Sequence, residues 1–131
     1  MSKPADVGSL RVGGYVIVDD KPCRVASLTK SKPGKHGAAK ARVVAIGVFD
    51  GAKKTFVKPV NAQIEVPMIE KRTGQVIALL ESSVQLMDLE NYEVSETAYP
   101  DNVELKQKLG SGVEVEYWRI LGRTKIMRTK G

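Results

Sequence analysis

Seven cations, Lys21, Arg24, Lys30, Lys32, Lys35, Lys40 and Arg42, lie between Asp20 and Asp50 with no acidic residue among them. A run of that length and sign is the footprint of a polyanion partner, nucleic acid above all. The competing reading is a solvated loop that keeps the chain soluble. Within the run, Pro33 fixes φ for the second position of a turn and Gly34 supplies positive φ at the third, so residues 32–35 are predicted as a type II turn. Lys35 would leave that turn at the tip of a hairpin loop. Gly37, Ala38 and Ala39 follow with little bulk, which leaves room for close approach by a large partner. A phosphate-cradling loop is disfavoured, because no Ser or Thr follows Lys35 to hold magnesium.

Most enzyme chemistry lacks its residues here. His36 is the sole histidine and Cys23 the sole cysteine, too few for a Ser-His-Asp or Cys-His arrangement, for a structural zinc site, or for an internal disulfide. No second titratable group marks His36 as half of an acid/base pair. Cys23 alternates with charged Arg24 in a β-rich segment, so it is expected to be a buried strand residue rather than a reactive thiol. Trp118, Tyr117, Phe49 and Phe56 would stack on bases only where exposed, and most of them read as core.

The elements that must position the basic segment are short strands separated by turns. Residues 15–18 form a compact β-rich run closed by a turn at 19–22. Residues 23–28 alternate, with Cys23, Val25 and Ser27 expected on one face and Arg24 on the other. After the loop at 29–41 comes a long β-branched run at 42–49. Asp50-Gly51 then gives a hairpin signal, with 54–58 as the partner strand, stopped or edged by Pro59. Residues 64–68 complete a first half of about five strands, which suits an SH3-like barrel.

A polar, glycine-containing break at 70–74 coincides with a change of charge. Residues 1–69 hold 12 Lys and Arg against 5 Asp and Glu, a net +7, and residues 70–131 hold 9 against 10, a net −1. A domain boundary is therefore expected there, dividing the 131 residues into 1–69 and 70–131. Beyond it, strands at 75–80, 84–87 and 92–97 precede a short helix at 102–109, capped by Asp101 with Glu104 and ended by Gly110. A strand at 113–117, bulged near Trp118, and one at 124–128 follow. Three strands, a helix and two strands is the order of an OB-fold. The fold class expected is all-β, two small barrels, SH3-like then OB.

The string Ser31-Lys32-Pro33-Gly34-Lys35-His36-Gly37 with Ala39-Lys40, preceded by Lys21-Pro22-Cys23-Arg24-Val25, resembles the hypusination loop of the translation factor 5A family. The resemblance runs over nearly the whole chain. Pro33, where eukaryotic members commonly have Thr, and the absence of a long N-terminal extension make it similar to archaeal members. The family is related to bacterial elongation factor P, whose third domain this chain lacks.

The resemblance implies that Lys35 receives an aminobutyl group from spermidine, giving deoxyhypusine or hypusine, with deoxyhypusine synthase as a partner. Ser31, Pro33, Gly34, His36 and Gly37 would be the recognition residues of that loop, and Lys30, Lys32, Lys40 and Arg42 would contact RNA phosphates. It further implies a cytoplasmic, non-enzymatic and monomeric factor, with no cofactor beyond that attached group. Such a factor binds the ribosome beside peptidyl-tRNA and helps slow peptide bonds, notably at proline runs. The alternative is a general RNA-binding or RNA-chaperone module in which Lys35 is an ordinary cation. No apolar run reaches the roughly 18 residues of a membrane helix, and no signal peptide is read at the start.

Overall fold

The structure is a computed structural model that describes residues 1–32 and 39–130. It is all-β, with eleven strands and one short α-helix among the described residues. The chain divides into two compact units, Met1–Met68 and Ile69–Gly131. Among the described residues no helix is long and apolar enough to cross a membrane.

The first unit is a small SH3-like barrel. Its four-stranded antiparallel sheet has the order β2 (Tyr15–Val18), β3 (Lys21–Ser31), β4 (Lys40–Gly47), β5 (Lys53–Pro59). A two-stranded ladder pairs β1 (Ser2–Asp6) with β6 (Gln63–Pro67). Val7, Val16, Cys23, Val25, Ala41, Val43 and Ala45 form the core, with Leu28, Phe56 and Ile64 packed against it. β5 ends at Pro59, on an edge of the sheet, as the missing amide hydrogen requires.

Several local expectations change. The turn after β2 is two residues long: Asp19 and Asp20 both take positive φ (52° and 63°), the geometry that matches strand twist in a tight hairpin, and Lys21 and Pro22 already belong to β3. The predicted loop at 29–41 is shorter, because Ser31 still pairs with Lys40. The turn expected at Asp50-Gly51 is part of a longer loop between Gly47 and Ala52, which exchange a hydrogen bond at 2.8 Å. β1 has no apolar alternation and was not expected as a strand at all.

The second unit is an OB barrel with strand order β11 (Arg123–Thr129), β10 (Glu114–Ile120), β7 (Ile69–Leu79), β8 (Ser83–Asp88), β9 (Val94–Ala98). Helix α1 (Val103–Lys108) stands between its third and fourth strands. The edges β9 and β11 meet through side chains, where the Thr97 hydroxyl donates to the Thr124 carbonyl at 3.0 Å. Val76, Val84, Leu86, Val115, Tyr117 and Ile126 fill the interior.

The polar stretch at 70–74, read in sequence as a break, lies inside β7 and pairs with β10 from Glu70 opposite Arg119 to Gly74 opposite Val115. Gly74 is there for packing: a Cβ would stand 3.0 Å from the Tyr117 ring. The α1 cap is Asn102, whose side chain accepts from the Leu105 amide at 3.0 Å, and not Asp101. Leu109 leaves the helix in extended geometry, and Gly110 is not left-handed. The bulge expected near Trp118 falls between Glu116 and Tyr117.

Candidate nucleic-acid interface

The basic segment is a β3–β4 hairpin. Thr29 pairs with Arg42, Lys30 with Ala41 and Ser31 with Lys40. Residues 32–39 join the two strands, with Lys35 midway in sequence. Pro33, Gly34, Lys35, His36 and Gly37, and with them the predicted turn at 32–35, lie outside the described residues.

Residues paired across antiparallel strands point to the same side of a sheet, and successive residues point to opposite sides. Ala41 and Val43 are fully buried, so Lys40 and Arg42 project outward, together with Thr29 and Ser31. Lys30 shares the inward side with Ala41. Its ammonium reaches past the core and donates to the Gly8 carbonyl at 2.8 Å. Of the four cations named for RNA contact, the structure thus brings Lys40 and Arg42 together on one side and places Lys30 on the other. Lys32 is exposed just beyond the end of β3.

A bulge between Val25 and Ser27 causes this division. It reverses the alternation along β3, so Ser27 is exposed and Leu28 turns toward the core, contrary to the expected grouping of Ser27 with Cys23 and Val25. Arg24, which the sequence counted only as one member of the charge run, lies outward too, beside Ile46 and Lys53. Stepping forward two residues at a time from Arg42 to Ile46 along β4 and reading across the register is the signal that finds it.

At the far end of the hairpin, Lys21 donates to Asp50 at 3.3 Å, and Asp50 also accepts from the Ala52 amide at 2.9 Å. The Ala52 amide first, and Lys21 second, hold the Asp50 carboxyl below its ordinary value. Burial, with the Asp50 carboxylate adding to it, pushes the Cys23 thiol up. At 1% exposure Cys23 is a core residue and not a nucleophile. Tyr117 and Trp118 are buried, and neither is available to stack on a base.

An SH3-like barrel that carries a basic hairpin, followed by a nearly neutral OB barrel, defines the two-barrel class of translation factors. Comparison with known proteins agrees along the chain. Residues 1–62 match the family described as "Translation initiation factor 5A-like, N-terminal", and residues 68–130 match "Eukaryotic elongation factor 5A hypusine, DNA-binding OB fold". The chain is 54% identical over 129 residues to translation initiation factor 5A of Methanothermobacter thermautotrophicus, covering 98% of each chain. It is 51% identical over 127 residues to that of Thermococcus sibiricus, covering 95% of this chain and 92% of the relative. Among solved structures, eukaryotic translation initiation factor 5A from Methanococcus jannaschii superposes with a TM-score of 0.92 at 48% identity, over 98% of this chain and 95% of the other. The chain belongs to the translation initiation factor 5A family.

Proposed function

We propose that this protein binds the ribosome beside peptidyl-tRNA and promotes peptide-bond formation at slow sites, such as proline runs, through a deoxyhypusine or hypusine side chain at Lys35. The observation that carries this reading is the place of Lys35 in the chain: it lies between two long paired strands, within a family whose matched description includes hypusine. An unmodified lysine is one compact ammonium on a four-carbon stem. Adding an aminobutyl group from spermidine lengthens the side chain and adds a second amine, so one residue can enter a narrow RNA cleft and meet phosphates or 2′-hydroxyls there.

Lys35 acts in this reading as an assisting group and as the substrate of deoxyhypusine synthase, not as a catalytic residue. Ser31, Pro33, Gly34, His36 and Gly37 are the residues the modifying enzyme reads. Lys32, Lys40 and Arg42 hold the loop against phosphates without reading sequence. The protein works as a cytoplasmic monomer.

The test has two parts. Intact mass of the protein purified from its native cells is expected to exceed the sequence mass by the polyamine-derived group, with the excess on the peptide that contains Lys35. In a translation assay stalled at a proline run, the modified protein is expected to relieve the stall and Lys35→Arg is expected not to. Full activity of Lys35→Arg would show that charge alone suffices, and the general RNA-binding reading would replace this one.

A further inference from the structure

The outward side of the β2–β5 sheet differs from its inward side in how its cations are used. Three rows cross β3, β4 and β5 on the outward side: Ser27–Val44–Thr55, Thr29–Arg42–Val57 and Ser31–Lys40–Pro59. A fourth, Tyr15–Arg24–Ile46–Lys53, crosses all four strands. These rows hold four cations and five hydroxyls, that of Tyr15 included, and not one carboxylate. Arg24, Lys40, Arg42 and Lys53 are all exposed. Among the described residues, no acidic side chain forms a salt bridge with any of them.

The inward-side and rim cations are engaged within the barrel. Lys30 bonds the Gly8 carbonyl, Lys21 pairs with Asp50, Lys54 pairs with Asp19 at 3.5 Å, and Lys58 lies over the Phe56 ring at 5.7 Å. On one side and at the rim these cations are engaged within the barrel, two of them by carboxylates, whereas no carboxylate offsets the four on the other side. The positive side also runs along most of the hairpin's length, since Lys40 and Ile46 are six residues apart on β4, about 20 Å at strand rise.

We propose that this outward side docks a double-helical segment of ribosomal RNA by its phosphate backbone, with Arg24 and Lys53 anchoring the end away from Lys35. The inference rests on the reading above that the partner is the ribosome. Charge complementarity identifies a polyanion. These rows carry a single aromatic, Tyr15, half-buried at one end of the fourth row; proteins that hold single strands stack successive bases on several aromatic rings, so the rows suit the backbone of a helix better than a single strand. Ser27, Thr29, Ser31 and Thr55 suit phosphates and 2′-hydroxyls, the groups an RNA helix presents.

The test uses the full chain bound to ribosomes. Cys23 is 1% exposed, so an iron chelate can be tethered selectively at position 55 through Thr55→Cys. Hydroxyl-radical cuts are expected in a base-paired segment of ribosomal RNA. Arg24→Gln with Lys53→Gln is expected to remove those cuts and to lower the slope of log affinity against log salt by about one for each cation removed. The inward variant Lys30→Gln is expected to change neither. Cuts confined to tRNA, to single-stranded RNA or to protein, with the factor still bound, overturn the proposal. Complete failure to bind ribosomes overturns the parent reading, and this one with it.

Discussion

The Tyr117 hydroxyl donates to the Asp88 carboxylate inside the OB barrel, and both residues are at most 2% exposed. Arg72 donates to both Asp88 oxygens, one of these bonds being 3.2 Å from Nη2 to Oδ1. The amides of Glu90 and Asn91 close the same carboxylate at 2.8 and 3.1 Å. One buried charge thus ties together β7, β8, β10 and the turn after β8. Tyr117→Phe removes one of five donors and leaves Asp88 paired, so it is expected to cost about 1–2 kcal/mol. Asp88→Ala leaves a buried hydroxyl and the guanidinium without their shared acceptor, and about 3 kcal/mol or more is expected. Urea unfolding followed by Trp118 fluorescence checks both, and equal small losses would show that the cluster does not act as a unit.

The same cluster sets a pH dependence. Arg72 chiefly, with Tyr117 and the two amides, holds the Asp88 carboxyl well below the usual carboxylate range. A carboxyl with a depressed folded value stabilises the fold fully above its unfolded pKa of about 3.9, and that stability is lost as pH falls further. Burial, and then the Asp88 carboxylate, pushes the Tyr117 phenol up to about 12 from 10.0. Its contribution is complete below pH 10 and is lost as pH rises toward 12. Stability measured from pH 7 downward is expected to fall most steeply below pH 4 and to flatten in Asp88→Asn. Tyr117→Phe is expected to flatten the alkaline fall and, because Arg72 and the two amides still hold Asp88, to soften the acid fall only slightly.

Alternation and turn chemistry made most of the strands legible in sequence, and the order of three strands, helix and two strands was enough to place the OB barrel. What sequence missed depends on partners far along the chain. β1 reads Ser-Lys-Pro-Ala-Asp, with no apolar pattern, and is a strand because β6, some sixty residues on, supplies its ladder. Gly74 looked like a break, and is instead the space beneath the Tyr117 ring. At the candidate site the charge run was plain, but its sidedness was not. Strict alternation from Arg24 would put Lys30 on the same side, and the bulge between Val25 and Ser27 moves it to the other. A bulge is fixed by the pairing of two strands, which no window on one strand contains. The role proposed for Lys35 rests on resemblance to a family, and no spacing or residue pattern in the chain singles it out from the other cations.

Gly47 and Asp50 form the second relationship that sequence concealed. A Cβ on Gly47 would fall 1.9 Å from Asp50 Oδ1, the atom that accepts from the Ala52 amide. Gly47→Ala must therefore expel the Asp50 side chain, breaking the loop bond and the ion pair with Lys21 together. Because the displaced atom ends an exposed side chain, the expected loss is that of one loop hydrogen bond, about 0.5–1.5 kcal/mol. Residues in contact do not act additively, so Gly47→Ala is expected to cost clearly less when introduced into Asp50→Ala. An identical cost in both backgrounds would show that the clash is not with Asp50.

The start of α1 allows a sharp comparison between two adjacent residues. In sequence, Asp101 with Glu104 three residues later has the spacing of a capping box, whereas the structure begins the helix one residue on, with Asn102 extended at φ −68° and ψ 118° and its Oδ1 on the Leu105 amide. An aspartate before an asparagine offers two good caps, and the choice falls to the one whose successors meet the barrel: Leu105 and Leu109 both contribute to the OB core. Asn102→Ala leaves the Leu105 amide without its acceptor and is expected to cost about 1 kcal/mol, with Asn102→Asp nearly neutral. Asp101 is exposed and no cap bond depends on it, so Asp101→Ala is expected to stay within about 0.5 kcal/mol. Thermal or urea unfolding of the three variants decides the matter, and a larger loss from Asp101→Ala than from Asn102→Ala would return the cap to Asp101.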